Sequence, residues 1–156
     1  MDQPLRVAAV LTRGREVLPA EWVWSARDPA AVRLCVSGSR WSSPPCPVPS
    51  RENGPERPVG VAVWCVARDR LRDALAGRHR GPGTVLLRAW PDRRVLGVAL
   101  RTTDGWWRGI TDRRVAAHFL GESYAHVSPD REAVMVAAAA NRLDPNRLAE
   151  LEGEAT

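Results

Sequence analysis

Three histidines, three cysteines and 18 carboxylates are the side chains with which this chain of 156 residues would bind a metal or move a proton. His79, His118 and His126 stand apart, with no His-x-x-x-His or His-Glu spacing to set two ligands on one helix face. Cys35, Cys46 and Cys65 are odd in number and lack a Cys-x-x-Cys knuckle, so zinc is not expected; Cys35 and Cys65 lie in apolar runs and read as free, buried thiols. Gly-x-Ser-x-Gly is missing, and the nearest run, Cys35-Val36-Ser37-Gly38-Ser39, reads as a strand leaving into a loop. Asp69 and Asp73 are one helical turn apart among Arg68, Arg70 and Arg72, the pattern of a surface ion-pair network. All 23 basic residues are Arg. Without an ε-amine there is no Schiff base and no phosphate-loop lysine, which excludes pyridoxal phosphate enzymes, Schiff-base aldolases and P-loop NTPases. The expectation is a non-enzyme with no metal and no cofactor.

Arginine and tryptophan are the residues left to carry a function. Residues 1–120 hold 20 Arg against 11 acids, whereas residues 121–156 hold 3 Arg against 7, so a basic body precedes an acidic tail. Seven Trp stand against one Phe and one Tyr. Trp106 and Trp107, being adjacent in a strand, point to opposite faces, so at least one is a candidate for exposure. With Arg101, Arg108, Arg113 and Arg114 near by, they form a candidate partner or nucleic-acid surface: an exposed indole stacks on an unpaired base or anchors a protein interface.

The elements that position these residues follow from period and punctuation. Residues 5–11, 21–26, 31–37 and 59–66 are short runs rich in Val and Trp and read as strands, with Asp28-Pro29 as the turn of a hairpin. The stretch 38–58 carries six prolines and no period, and reads as a flexible loop. Leu71 and Leu75, four apart, with Asp69 near the start and Gly77 at the end, mark a short helix. Thr84–Trp90, Val95–Arg101 and a strand through Trp106–Arg108 form a meander, its second turn at Asp104-Gly105. Val115, Ala116, Phe119 and Leu120 share a helical face behind Asp112 as cap, where His118 reads as a satisfied structural histidine. Ser128-Pro129 and Asp144-Pro145 are two further helix starts, and Ala137–Ala140 suits close packing. The order is ββββ-α-βββ-α plus a helical addition, an α+β fold with antiparallel sheets. No apolar run reaches the ~18 residues of a membrane span, and the amino-terminal residues lack a signal-peptide pattern, so a cytoplasmic protein without membrane insertion is expected.

At the centre of the chain the order of residues stops being generic. Asp28-Pro29-Ala30-Ala31-Val32, Trp64-Cys65-Val66-Ala67-Arg68-Asp69-Arg70-Leu71, Gly81-Pro82-Gly83-Thr84-Val85 and Ala89-Trp90-Pro91 together resemble the SsgA-like family of sporulation and cell-division regulators of filamentous actinomycetes. Its pattern runs D-P-x-A-V, W-x-F-A-R-D-L-L, G-x-G-D-V and W-P. Asp28, Pro29, Val32, Trp64, Ala67, Arg68, Asp69, Leu71, Gly83, Val85, Trp90 and Pro91 are the matching positions, and their chemistry is that of scaffold: Trp64 and Leu71 buried, Arg68 and Asp69 paired at a strand-to-helix corner. Val66 and Arg70 depart from the family's Phe and Leu.

The resemblance implies a whirly-like fold with curved antiparallel sheets and a homo-oligomer, as a trimer. It divides the chain into an SsgA-like domain, 1–127, containing the 38–58 loop, and a helical, acidic appendix, 128–156. It further implies a non-enzymatic regulator of sporulation-specific division, placed in the cytoplasm at the division septum. There it would take part in septum-site selection or recruit the tubulin-like protein FtsZ, through protein–protein contact with FtsZ or other SsgA-like proteins. The alternative expectation is a whirly-like single-stranded nucleic-acid-binding protein.

Overall fold

Seven strands, most of them alternating in burial along their length, build one sheet among the described residues. The computed structural model describes residues 3–38, 60–78 and 81–142; the loop beyond Gly38, His79, Cys46 and the helix start at Asp144 lie outside the described residues. The strands are β1 (Leu5–Arg13), β2 (Glu16–Ser25), β3 (Asp28–Ser37), β4 (Val61–Ala67), β5 (Val85–Ala89), β6 (Val95–Thr102) and β7 (Gly105–Asp112). Helix α1 (Arg68–Leu75) follows β4, and α2 (Arg113–His126) and α3 (Pro129–Arg142) follow β7. The sheet order is β4-β3-β2-β1-β7-β6-β5, with antiparallel neighbours throughout.

Local chemistry sets the corners. Gly14, at φ 59°, turns β1 into β2, a hairpin longer than the sequence runs suggested. The β2–β3 turn falls on Ala26-Arg27, two residues before the expected Asp28-Pro29, which instead open β3. The shift has a visible cause: Trp24 Nε1 donates to the Pro29 carbonyl at 2.9 Å, and a bulge at Trp24/Ser25 realigns Ser25 with Asp28. Asp112 caps α2 as its position predicted, accepting the Arg114 N–H at 2.7 Å. Ser128 Oγ likewise accepts the Arg131 N–H at the start of α3, at 3.3 Å.

Period-two alternation sends Leu11, Trp22, Val32, Leu34, Trp64, Leu96 and Leu100 to the concave face, where α1 and α2 cover them with Leu71, Ala116 and Phe119. Burying each large apolar side chain contributes about 1.5–3 kcal/mol. Trp22 stacks on Phe119 with centroids 6.0 Å apart. The sheet twists and curls as strands of L-residues do, and across the curl Trp64 Nε1 on β4 donates to the Arg101 carbonyl on β6 at 2.7 Å. The β1–β7 seam is the weak join: its ladder holds a single pair, Thr12↔Ile110. No helix among the described residues is long and apolar enough to cross a membrane.

Cys35 and Cys65 occupy the convex face of β3 and β4, half-buried, because Leu34, Val36, Trp64 and Val66 take the core. Cys35 is free, and burial pushes its thiol up, aided by Glu21 and opposed by Arg6 and Arg33. Cys65 is disulfide-bonded, against the expectation of a free thiol; its outward orientation leaves it accessible to a partner sulfur.

Candidate functional site

The corner between β4 and α1 is built around one cation. Arg68 is wholly buried, donating through Nη1 to the Ser123 carbonyl (3.0 Å), through Nη2 to the Val127 carbonyl (2.9 Å) and through Nε to Glu132 Oε2 (2.8 Å), which Nη2 also reaches. Its Cζ lies 4.2 Å from the Tyr124 ring centroid and 5.3 Å from that of Trp24, on which His126 stacks. Carbonyls at a helix carboxyl end carry the negative pole of the helix dipole, so the guanidinium closes α2 while a carboxylate and two π faces offset its desolvation. The expected Arg68–Asp69 pair does not form. Adjacent helical residues diverge by about 100°, so an Arg68 aimed inward leaves Asp69 on the outer side. Glu132, on α3, is the partner that spacing along the chain did not reveal. Burial pushes the Tyr124 phenol up, with Arg72 and Arg68 pulling the other way.

The predicted Arg and Trp surface is sorted by the sheet into two groups. Trp106 is exposed, on the convex face of β7, and Arg101 of β6, its register partner, lies over its ring at 5.6 Å. Arg108 is exposed on the same face. Trp107 does not belong to that surface: it is buried, donates to Glu16 Oε2 at 3.3 Å and lies under Arg13. Arg113 does not belong either, because Nη2 donates to the Leu75 carbonyl (2.9 Å) and Nη1 to the Trp90 carbonyl (3.3 Å), tying α2 to α1 and to the residue after β5. Arg114 is exposed at the first turn of α2, away from the strand rows. Arg88 and Trp90 join the convex face instead, the Arg88 Cζ 5.4 Å from the indole centroid. The alternation Leu86, Arg88, Trp90 was the available signal. A groove of about 720 Å³ reaches from this face to α1, lined by Leu86, Arg88, Trp90, Gly97, Ala99 and Arg108 and also by Ala74 of α1 with Gly77 and Arg78 beyond it.

Around the seam the convex face turns aliphatic. Val10, Val17 and Ile110 are 48%, 61% and 40% exposed, and the register sets Val17 opposite Thr12, which also pairs with Ile110. Beside them a cleft of about 550 Å³ opens between β1 and the β7–α2 junction, lined by Ala8, Val10, Val95, Ile110, Val115 and Arg94 among others. His118, expected to be a satisfied structural histidine, is exposed on α2. Among the described residues no three His, Cys, Asp or Glu side chains cluster so as to hold a metal.

No protein-family model and no curated protein sequence matches the chain. Solved structures do, two of them as follows. One is of SsgB from Streptomyces coelicolor, a protein whose mutations correlate with longitudinal cell division during sporulation. It is 21% identical, with a TM-score of 0.60 over 85% of this chain and 94% of that one. The other is an SsgA-like sporulation-specific cell division protein from Thermobifida fusca, 20% identical, with a TM-score of 0.58 over 92% of this chain and 96% of that one. The fold is SsgA-like.

Within the SsgA-like fold the matched motif positions fall mostly on scaffold. Asp28 and the buried Pro29 open β3, and Val32, Trp64, Leu71 and Val85 are core. Ala67 stands at the α1 cap position with no side-chain cap bond, and Asp69 lies half-buried in the first turn. Gly83 is where Arg70 crosses: Arg70 Nη1 donates to the Pro82 carbonyl at 2.9 Å, and a Cβ on Gly83 would stand 2.7 Å from that nitrogen. The Leu-to-Arg departure at 70 thus pins the turn into β5. Trp90 lies flat on Gly97, whose missing Cβ would stand 2.9 Å from the ring, and Pro91 starts the exposed turn into β6.

Proposed function

We propose that this protein is a non-enzymatic regulator of sporulation-specific cell division, working in the cytoplasm at the division septum through protein–protein contact. It contributes to septum-site selection by recruiting the tubulin-like division protein FtsZ, directly or with other SsgA-like proteins, and assembles as a homo-oligomer, a trimer. The observation that carries this reading is the SsgA-like fold, which spans 94% and 96% of two proteins of sporulation and division. The exposed Val10, Val17 and Ile110 support it, since aliphatic side chains gathered on a sheet face gain by meeting a protein.

A fluorescent fusion of the full chain, imaged in a sporulating actinomycete beside labelled FtsZ and stained DNA, tests the reading. The expected outcome is regular bands at future septa, coincident with FtsZ. Diffuse signal, or signal following the nucleoid without bands, overturns it.

A further inference from the structure

Arg88, Arg101 and Arg108 differ from Arg6 and Arg13 of the sheet and from Arg68 of α1. Arg6 and Arg13 pair with Glu21 and Glu16, and Arg68 is enclosed. These three stand on the convex face of β5, β6 and β7 and form no ion pair among the described residues; two lie over indoles, Arg88 on Trp90 and Arg101 on Trp106. Asp112, the carboxylate on the same face of β7, accepts the first-turn N–H of α2 at 2.7 Å. Cation–π contact limits the rotamers of two guanidinium forks before any ligand arrives, while leaving their N–H groups without an acceptor among the described residues.

Ala99 places almost no side chain above the β6 backbone, while the Trp90 ring covers Gly97, and all three line the groove of about 720 Å³. Register sets Leu86, Ala99 and Arg108 in one row and Arg88, Gly97 and Ile110 in the next, so Arg88 and Arg108 stand at opposite ends of adjacent rows with Ala99 and the Trp90 indole between them. Trp106, 37% exposed, supplies an indole at one end. A peptide that binds β-structure commonly adds to an open strand edge through its main chain, whereas this site is a sheet face, where stacking and charge do the binding.

The geometry points to a binding site for single-stranded nucleic acid on the convex face of β5–β7, with Arg88, Arg101 and Arg108 on phosphates and bases and Trp106 stacking. The body's excess of 20 Arg over 11 acids in residues 1–120 draws the polyanion in from solution. The site is independent of the division role.

Fluorescence anisotropy of the full chain with fluorescein-labelled oligothymidylate tests it, with an unlabelled duplex and polyglutamate as competitors. Binding is expected at low salt, weakening steeply with added NaCl, and competed poorly by duplex and by polyglutamate. The variant R88A/R101A/R108A is expected to bind at least about tenfold more weakly with a shallower salt dependence, W106A about tenfold more weakly, and R131A as the parent does. Photocrosslinking of 5-iododeoxyuridine oligonucleotide to the unsubstituted chain should map to the segment holding Trp106 and Arg108, a readout that does not depend on any variant folding. No binding at low salt, full binding by the triple variant, or crosslinks confined to other segments overturns the site. Polyglutamate competing as well as oligonucleotide of equal charge overturns it in favour of an acidic protein segment.

Discussion

Arg68 concentrates more of the local energetics than any other side chain of the motif. A guanidinium with no exposed surface is tolerable because each of its nitrogens finds an acceptor, and the carboxylate among them, Glu132, comes from another helix. Breaking such a pair from one side leaves a buried charge, which costs about 3–5 kcal/mol, whereas replacing both partners by apolar groups is close to neutral. Glu132→Ala is therefore expected to lower unfolding free energy by about 3 kcal/mol, and Arg68→Met with Glu132→Leu to recover most of that loss. Urea unfolding with the slope held in view measures both. An E132A chain as stable as the parent would mean that the carbonyls of Ser123 and Val127 satisfy Arg68 unaided.

At the scale of elements, the join between β1 and β7 depends on glycine. A Cβ at Gly109 would stand 2.2 Å from the Trp107 ring and 2.6 Å from the Thr12 carbonyl, so the seam closes only because position 109 has no side chain. Gly109→Ala is expected to cost about 1–3 kcal/mol, the range for overpacking a tight site. Gly121 in α2 is the opposite case, with nothing within 4 Å of where a Cβ would stand, and Gly121→Ala is expected to stabilise by about 0.5–1 kcal/mol through helix propensity. Thermal midpoints of the two variants should move in opposite directions; a G109A midpoint equal to the parent's would refute the close-approach account. Helix α3 presents a further contrast. Ala137–Ala140 were expected to pack closely, yet they are exposed together with Val134, Met135 and Val136, and Glu132 is its half-buried residue. Small residues permit close packing, but no facing element of the described chain comes to meet them.

For the whole molecule, the curled sheet divides its surface into two regions of different chemistry, aliphatic at the β1–β7 seam and arginine-rich over β5–β7. The proposed protein contact and the proposed nucleic-acid site therefore separate by mutation. V10D/V17D places two charges on the aliphatic region at exposed positions, so the folded state should keep its thermal midpoint while septal bands disappear and the mass in multi-angle light scattering falls toward that of the single chain. Bands and mass that persist in a folded V10D/V17D chain would take that region out of the proposed contact. The same variant should bind oligothymidylate as the parent does.

Much of the fold was legible because it rests on local rules. Apolar residues at every second position marked strands such as the run through Val32, Leu34 and Val36, Asp112 announced α2, and Gly77 ended α1. The order ββββ-α-βββ-α follows from such signals alone. The motif from Trp64 to Leu71 also pointed to the SsgA-like fold, since a buried tryptophan, a corner arginine and a helix leucine at that spacing are read along one short segment. What lay beyond sequence were the pairings between distant segments. Trp64 with the Arg101 carbonyl, Arg113 with the Leu75 carbonyl and Arg68 with Glu132 join residues 37, 38 and 64 positions apart, and a linear pattern assigns no partner across such a gap. Exposure was decided in the same way. Trp106 and Trp107 are chemically identical neighbours, and only the curl of the sheet, which gives one face to the core and the other to solvent, made one a surface residue and the other a buried one.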